Sequence, residues 1–217
     1  MIIKAKKFPY PIFKIGFYFI SWLVSKRFNK LVINRISIKP DSSYLILCNH
    51  FSFWDGFLAA YLVRHTIHKK QQIKELNFMS VKKQMQMNPW LKYIGSFSVS
   101  PGKISVGESV AYAAEKLSKP GNVLVLYPQG NLESCHVREI EMKDGINAII
   151  PQIKGNCQII WSSNLVEYFE SLKPSINFHM LDCGTNHDFN FEELNKKINS
   201  FHKEAIQKQI RFTEEKL

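Results

Sequence analysis

The chain predicts an α/β fold: a single domain with a largely parallel or mixed sheet sandwiched by helices, and a further helix at the N-terminus. Three observations carry this. Short apolar runs bounded by turn residues alternate with stretches whose apolar residues recur at three and four, as in a layered α/β domain. The length of 217 residues and a hydrophobic share of 45% suit one substantial core. No internal repeat, low-complexity tract or second domain breaks the alternation.

The N-terminus is basic and aromatic together. Residues 1–40 hold nine cations and no acid, the first acid being Asp41. Seven aromatics stand between Phe8 and Val24, while the apolar run Ile15 to Val24 spans only ten positions and includes Ser21. A membrane-spanning helix needs about 20. Ser25-Lys26-Arg27 is a poor cleavage site for a signal peptide. Aromatics beside lysines suit an amphipathic helix lying in the membrane interface, its cations reaching anionic head groups. Residues 1–40 are therefore expected to be a membrane-association segment and residues 41–217 the folded domain.

Within that domain, Tyr44 to Cys48 reads as a buried strand. Asp55 to Val63 reads as a helix with Phe57, Leu58, Tyr61 and Leu62 on its apolar face. Asn77 to Val81 is a second strand, Met85 to Trp90 an apolar turn, and Phe97 to Val99 a third strand. Ser105 to Leu117 reads as an amphipathic helix stopped by Lys119-Pro120-Gly121. Val123 to Leu126, Gln158 to Trp161 and Ile176 to Met180 read as further strands. Phe191 to about Ile210 reads as the last helix, with Phe191, Leu194, Ile198, Phe201 and Ala205 on one face.

Charge and cysteines exclude some classes. Residues 41–217 carry 20 cations against 18 acids. A nucleic-acid-binding face would recur on the folded body, so nucleic acid is not an expected partner. Cys48, Cys135, Cys157 and Cys183 form no Cys-x-x-Cys pair, and Cys135-His136 lacks further ligands at metal spacing. They read as ordinary thiols, and no metal or cofactor is expected.

Two segments hold chemistry. Asn49-His50-Phe51-Ser52-Phe53-Trp54-Asp55 follows the first strand of the domain, and Tyr127-Pro128-Gln129-Gly130-Asn131 follows another. Strand ends are where reactive groups collect in layered α/β folds. His50 can take a proton from an alcohol near neutral pH, and Asp55 can hold its tautomer and stabilise its charged form. The same spacing recurs at His136–Glu141 and His187–Glu192, so order and context carry the argument. A strand-end histidine capping the next helix is the plain alternative.

That context resembles the glycerolipid acyltransferases, the family of bacterial 1-acylglycerol-3-phosphate acyltransferases. Asn49 to Asp55 is similar to their Asn-His-x-Ser-x-x-Asp block. Val81 to Met85, with Asn88-Pro89 and Ile94-Gly95, resembles their second block. Tyr127 to Asn131 resembles Phe-Pro-Glu-Gly-Thr, Lys143-Asp144-Gly145 their Lys-x-Gly, and Ile150-Pro151-Gln152-Ile153 their last apolar-Pro block. The blocks come in family order over about residues 44 to 155. Gln129 replaces the family's glutamate, Asn131 its threonine and Leu132 the following arginine. Near Ser100 and Pro101 the second block's arginine is missing, and Lys103 is the nearest cation.

The resemblance implies an O-acyltransferase domain over 41–217. It would move a fatty acyl group from a thioester donor, acyl-CoA or acyl carrier protein, to a lipid hydroxyl. His50 would be the base oriented by Asp55. Lys82, Gln129, Gly130 and Asn131 would bind substrate. The absence of a Gly-x-Ser-x-Gly elbow favours direct transfer without an acyl-enzyme. The missing arginines imply an acceptor without a phosphomonoester, such as an amino-acid lipid or a glycolipid, with lysophosphatidic acid as the alternative. The expected location is the cytoplasmic face of the inner (plasma) membrane, peripheral or monotopic. Two other classes remain open: a basic, aromatic-rich binder of membranes, and a catalytically silent family member that binds lipid.

Overall fold

The computed structural model describes residues 1–6, 8–168 and 171–209. In chain order it has α1 (Tyr10–Arg27), β1 (Leu31–Asn34), β2 (Ser43–Cys48), α2 (Asp55–His65), β3 (Glu75–Val81) and α3 (Lys82–Met87). A 3-10 turn (Pro89–Ile94) leads to β4 (Ser96–Val99). Then come α4 (Val106–Leu117), β5 (Asn122–Leu126), α5 (Gly145–Ile149), β6 (Cys157–Glu167), β7 (Ser175–Thr185) and α6 (Phe191–Gln209).

The strands form one seven-stranded mixed sheet in the order β1-β7-β6-β2-β5-β3-β4. Only the β6–β7 pair is antiparallel; the other neighbours run parallel. β2 lies at the centre and is buried along its whole length. A parallel strand covered on both faces has no polar side, which is why Tyr44 to Cys48 is uniformly apolar. Tyr44, Ile46 and Cys48 point to one core with α1 and α2. Leu45 and Leu47 point to the other, with α4, α5 and α6.

α1 distributes its apolar residues over two faces. Phe17, Ser21 and Val24 are buried against the first core, with Phe13 and Ile20 beside them. Ile12, Ile15, Tyr18, Phe19 and Trp22 are exposed. No helix among the described residues is long and apolar enough to cross a membrane.

Several expectations are corrected. The boundary at residue 40 separates no folding unit, because β1 pairs in parallel with β7 from Leu31↔Ile176 to Asn34↔His179. Met85 to Trp90 is not a turn but α3 followed by the 3-10 turn. β6 and β7 each run to 11 residues, well past the apolar cores that marked them. The last helix is described to Gln209, and Ile210 lies outside the described residues.

Candidate active site

β2 ends at Cys48, and the chain then turns across the carboxyl edge of the sheet. Asn49 holds that turn from inside. Its Oδ1 accepts the Asn164 N–H at 2.7 Å, and its Nδ2 donates to the Asn164 carbonyl at 3.0 Å. The side chain thus extends the β2–β6 ladder by one rung. His50 follows, partly exposed at the cavity wall.

Asp55 begins α2 and is 1% exposed. One oxygen, Oδ2, gathers three donors: His50 Nδ1 at 2.6 Å, Phe51 N–H at 2.8 Å and Ser52 N–H at 2.9 Å. From the first residue of α2 the carboxylate reaches back over the turn that precedes the helix and ties its amides down. The carboxylate fixes the proton on Nδ1, which leaves Nε2 as the basic atom of the ring. The Tyr127 ring stacks on His50 at 4.4 Å between centroids. Burial, and then Cys48 and Asp55, push the Tyr127 hydroxyl well above its ordinary value, so it stays protonated. Asp55 Oδ1 and the Tyr127 hydroxyl are buried without a protein partner, a costly state that calls for a reason.

The loop after β5 locks onto the same histidine. Gln129 is buried; its Oε1 accepts the His50 backbone N–H at 2.7 Å and its Nε2 donates to the Glu133 carboxylate. Glu133 in turn donates its N–H to the His50 carbonyl at 2.8 Å. Gly130 turns with φ of 70°, its N–H bonded to the Tyr127 carbonyl at 3.0 Å. A Cβ at Gly130 would stand 3.0 Å from Lys143 Nζ, so glycine leaves room for that ammonium group.

His50, Gly130 and Lys143 line one groove of about 820 Å³. It passes along β3 under α1, walled by Phe13, Phe57, Phe78, Met79 and Leu91. Glu75 and Lys116 lie at the amino end of β3, across the sheet from His50, and pair at 2.6 Å. Burial pushes the thiols of Cys48, Cys157 and Cys183 up to about 12. None of these is a thiolate near neutral pH.

The structure therefore brings together His50, Asp55, Gln129 and Gly130. It does not bring Lys82 to them: its ammonium group donates to the Met1 carbonyl at 3.0 Å, and the residue does not line the groove. Asn131 is exposed and also outside the lining. Three further neighbours were given no role from sequence: Tyr127 and Lys143, which stand in the quoted blocks, and Glu133, which does not. Glu133 stands four residues after Gln129, and Lys143 opens the Lys-x-Gly element; these were the available signals.

An α/β sandwich with a histidine–aspartate pair at the carboxyl edge of its sheet, opening on a long apolar groove, defines the class. The sequence model of the Acyltransferase family matches residues 6–160, and the chain belongs to that family. Among solved structures it is similar to the 1-acyl-sn-glycerophosphate (LPA) acyltransferase PlsC from Thermotoga maritima. The two share 16% identity with a TM-score of 0.60, over 93% of this chain and 81% of that one. At that identity the likeness speaks for the fold. No curated protein sequence matches significantly.

Proposed function

We propose that the protein transfers a fatty acyl group from a thioester to a hydroxyl of a membrane lipid, directly and without an acyl-enzyme. The observation that carries this is the 2.6 Å His50 Nδ1–Asp55 contact beside an apolar groove of about 820 Å³. In this reading the acceptor hydroxyl gives its proton to His50 Nε2 as its oxygen attacks the thioester carbonyl. The tetrahedral oxyanion collapses, the carbon–sulfur bond breaks, and the leaving thiolate takes the proton back from His50. The groove holds the acyl chain away from water. The thioester donor, acyl-CoA or acyl carrier protein, places the reaction on the cytoplasmic face of the membrane.

The acceptor is read from what the rim lacks. Leu132 lines it where the family's arginine is expected, and no arginine stands near Ser100. A phosphomonoester is usually gripped by arginines in bidentate geometry, and each lost charge-assisted contact costs about 1.5–3 kcal/mol. Lys143 offers one point charge beside Gly130. That suits an acceptor with a single anionic group, such as the carboxylate of an amino-acid lipid, or an uncharged glycolipid. Gln129 gives no ground for a silent member, since Glu133 accounts for its amide.

The test is acyl transfer by purified protein from both donors, with amino-acid lipid, glycolipid and lysophosphatidic acid at matched concentration. The expected result is transfer to a phosphate-free acceptor. Clear preference for lysophosphatidic acid would contradict the acceptor assignment. Absence of transfer and of acyl-donor turnover with every pair would contradict the enzyme reading.

A further inference from the structure

Net positive charge on this chain is concentrated in two segments. Residues 1–40 carry nine cations and no acid; residues 76–107 carry four, Lys82, Lys83, Lys92 and Lys103, and no acid either. The remaining 145 residues hold 16 cations against 18 acids. The second segment comprises most of β3, then α3, the 3-10 turn, β4 and the loop to α4. It also carries large apolar side chains in the open: Met87 is 72% exposed and Ile104 fully so, with Trp90, Tyr93 and Ile94 standing out beside them.

The two basic segments are joined. The stretch before α1 runs along β4 and the 3-10 turn. Ile3 and Ser98 exchange bonds at 2.7 and 2.9 Å, Lys6 N–H donates to the Lys92 carbonyl at 2.8 Å, and Phe8 stacks on Tyr93 at 5.9 Å. Both segments also border the same groove, α1 through Ile12 and Gly16, the other through Trp90 and Ile94.

We infer that α3, the 3-10 turn and the Pro101–Ile104 loop form a second membrane-docking surface. It faces α1 across the groove mouth, so that the groove opens into an anionic bilayer between two anchors. This rests on the membrane reading above and adds a site to it. The composition favours lipid over a protein partner. Apolar side chains standing clear of their neighbours, interleaved with lysines and flanked by Trp and Tyr, match an interfacial anchor. A rigid protein interface would instead offer them a recess to fill. The consequence is orientation: one helix on a membrane leaves the body free to rotate about it, whereas two anchors fix the groove mouth toward the acyl chains.

The experiment is co-sedimentation of the full chain with phosphatidylcholine vesicles, with and without phosphatidylglycerol. Met87→Ser with Ile104→Ser should weaken binding to both vesicle types by about tenfold, through lost apolar burial. Lys83→Gln with Lys103→Gln should weaken binding about tenfold or more to anionic vesicles alone, since each cation near such a surface contributes about fivefold. Lys196→Gln with Lys203→Gln on α6 should bind as wild type. All four side chains of the test pairs are exposed and outside the groove lining, and an unchanged thermal midpoint checks the fold. Wild-type binding by both test pairs would overturn the second surface while leaving membrane association standing. No binding by the wild-type chain would overturn the membrane reading itself. Unchanged vesicle binding with loss of transfer only from acyl carrier protein would give the patch to a protein donor instead, and would equally overturn the inference.

Discussion

Gln129 replaces a glutamate of the family, and its neighbours supply the reason. Its Oε1 takes the His50 N–H and its Nε2 reaches the Glu133 carboxylate, an interaction that needs an amide. A glutamate at 129 would keep the first bond and set two carboxylates against each other in a largely buried site. We expect Gln129→Glu to destabilise the chain by about 1–3 kcal/mol and to lower transfer. Adding Glu133→Gln should restore both. Urea midpoints and transfer rates of the four proteins of that cycle check it; a double variant no better than the single one would contradict the pairing. The His50–Asp55 contact was legible from the ordered blocks around it, since the spacing alone recurs elsewhere in the chain. Glu133 was not, because its part depends on a loop path that residue spacing does not encode. Lys82 holds the position in the second block that resembles the family's, and its side chain leads to the Met1 carbonyl.

At the scale of elements, the periodic helices and the apolar strands β2, β4 and β5 were read to within a residue or two, whereas β1 and α5 were not read and β6 and β7 were read short. α4 and α6 carry an apolar stripe over three turns or more, so period alone reveals them. β1 is a four-residue strand with alternate residues half-buried, and α5 has five residues, less than the span over which a period can be measured. Met85 to Trp90 looked like a turn because of Pro89, yet Lys82 to Met87 are good helix formers and the proline serves to start the 3-10 turn. Gly95 closes that turn with φ of 90°, and a Cβ there would stand 2.0 Å from the Leu76 carbonyl oxygen. The second block is therefore fitted onto β3 through a position only glycine can occupy. Gly95→Ala should cost about 1–3 kcal/mol from backbone strain alone, with the clash added. A thermal or urea midpoint within error of wild type would contradict that fit.

Across the whole molecule, the α/β sandwich and mixed sheet follow from the alternation of runs, whereas strand order does not, because partners distant in sequence meet only through packing. The fold also holds histidines partly or fully buried, which favours their neutral form. His65 is lowered to about 4, first by burial and then by Arg64, Lys69 and Arg35; its Nε2 meets the Ser21 hydroxyl of α1 at 2.9 Å. His68, His179 and His202 are lowered as well, each mainly by burial. An unfolded histidine titrates near 6.5. Between that value and the native one, the unfolded chain binds more protons, so stability falls as pH drops from about 6.5 toward 4. Urea midpoints should decline across this window, and His65→Gln should lessen the decline. Identical slopes for the two proteins would show that His65 is not the group responsible.

The central claim is that His50, held by Asp55 at the end of the groove, is the base for acyl transfer. The direct measurement is the turnover of His50→Ala beside wild type, from acyl-CoA or acyl carrier protein to the best lipid acceptor, with thermal midpoints confirming an intact fold. Loss of a general base typically costs 10²–10⁴-fold. A folded His50→Ala protein should keep at most about a hundredth of wild-type turnover. A folded variant that keeps more than about a tenth would contradict it.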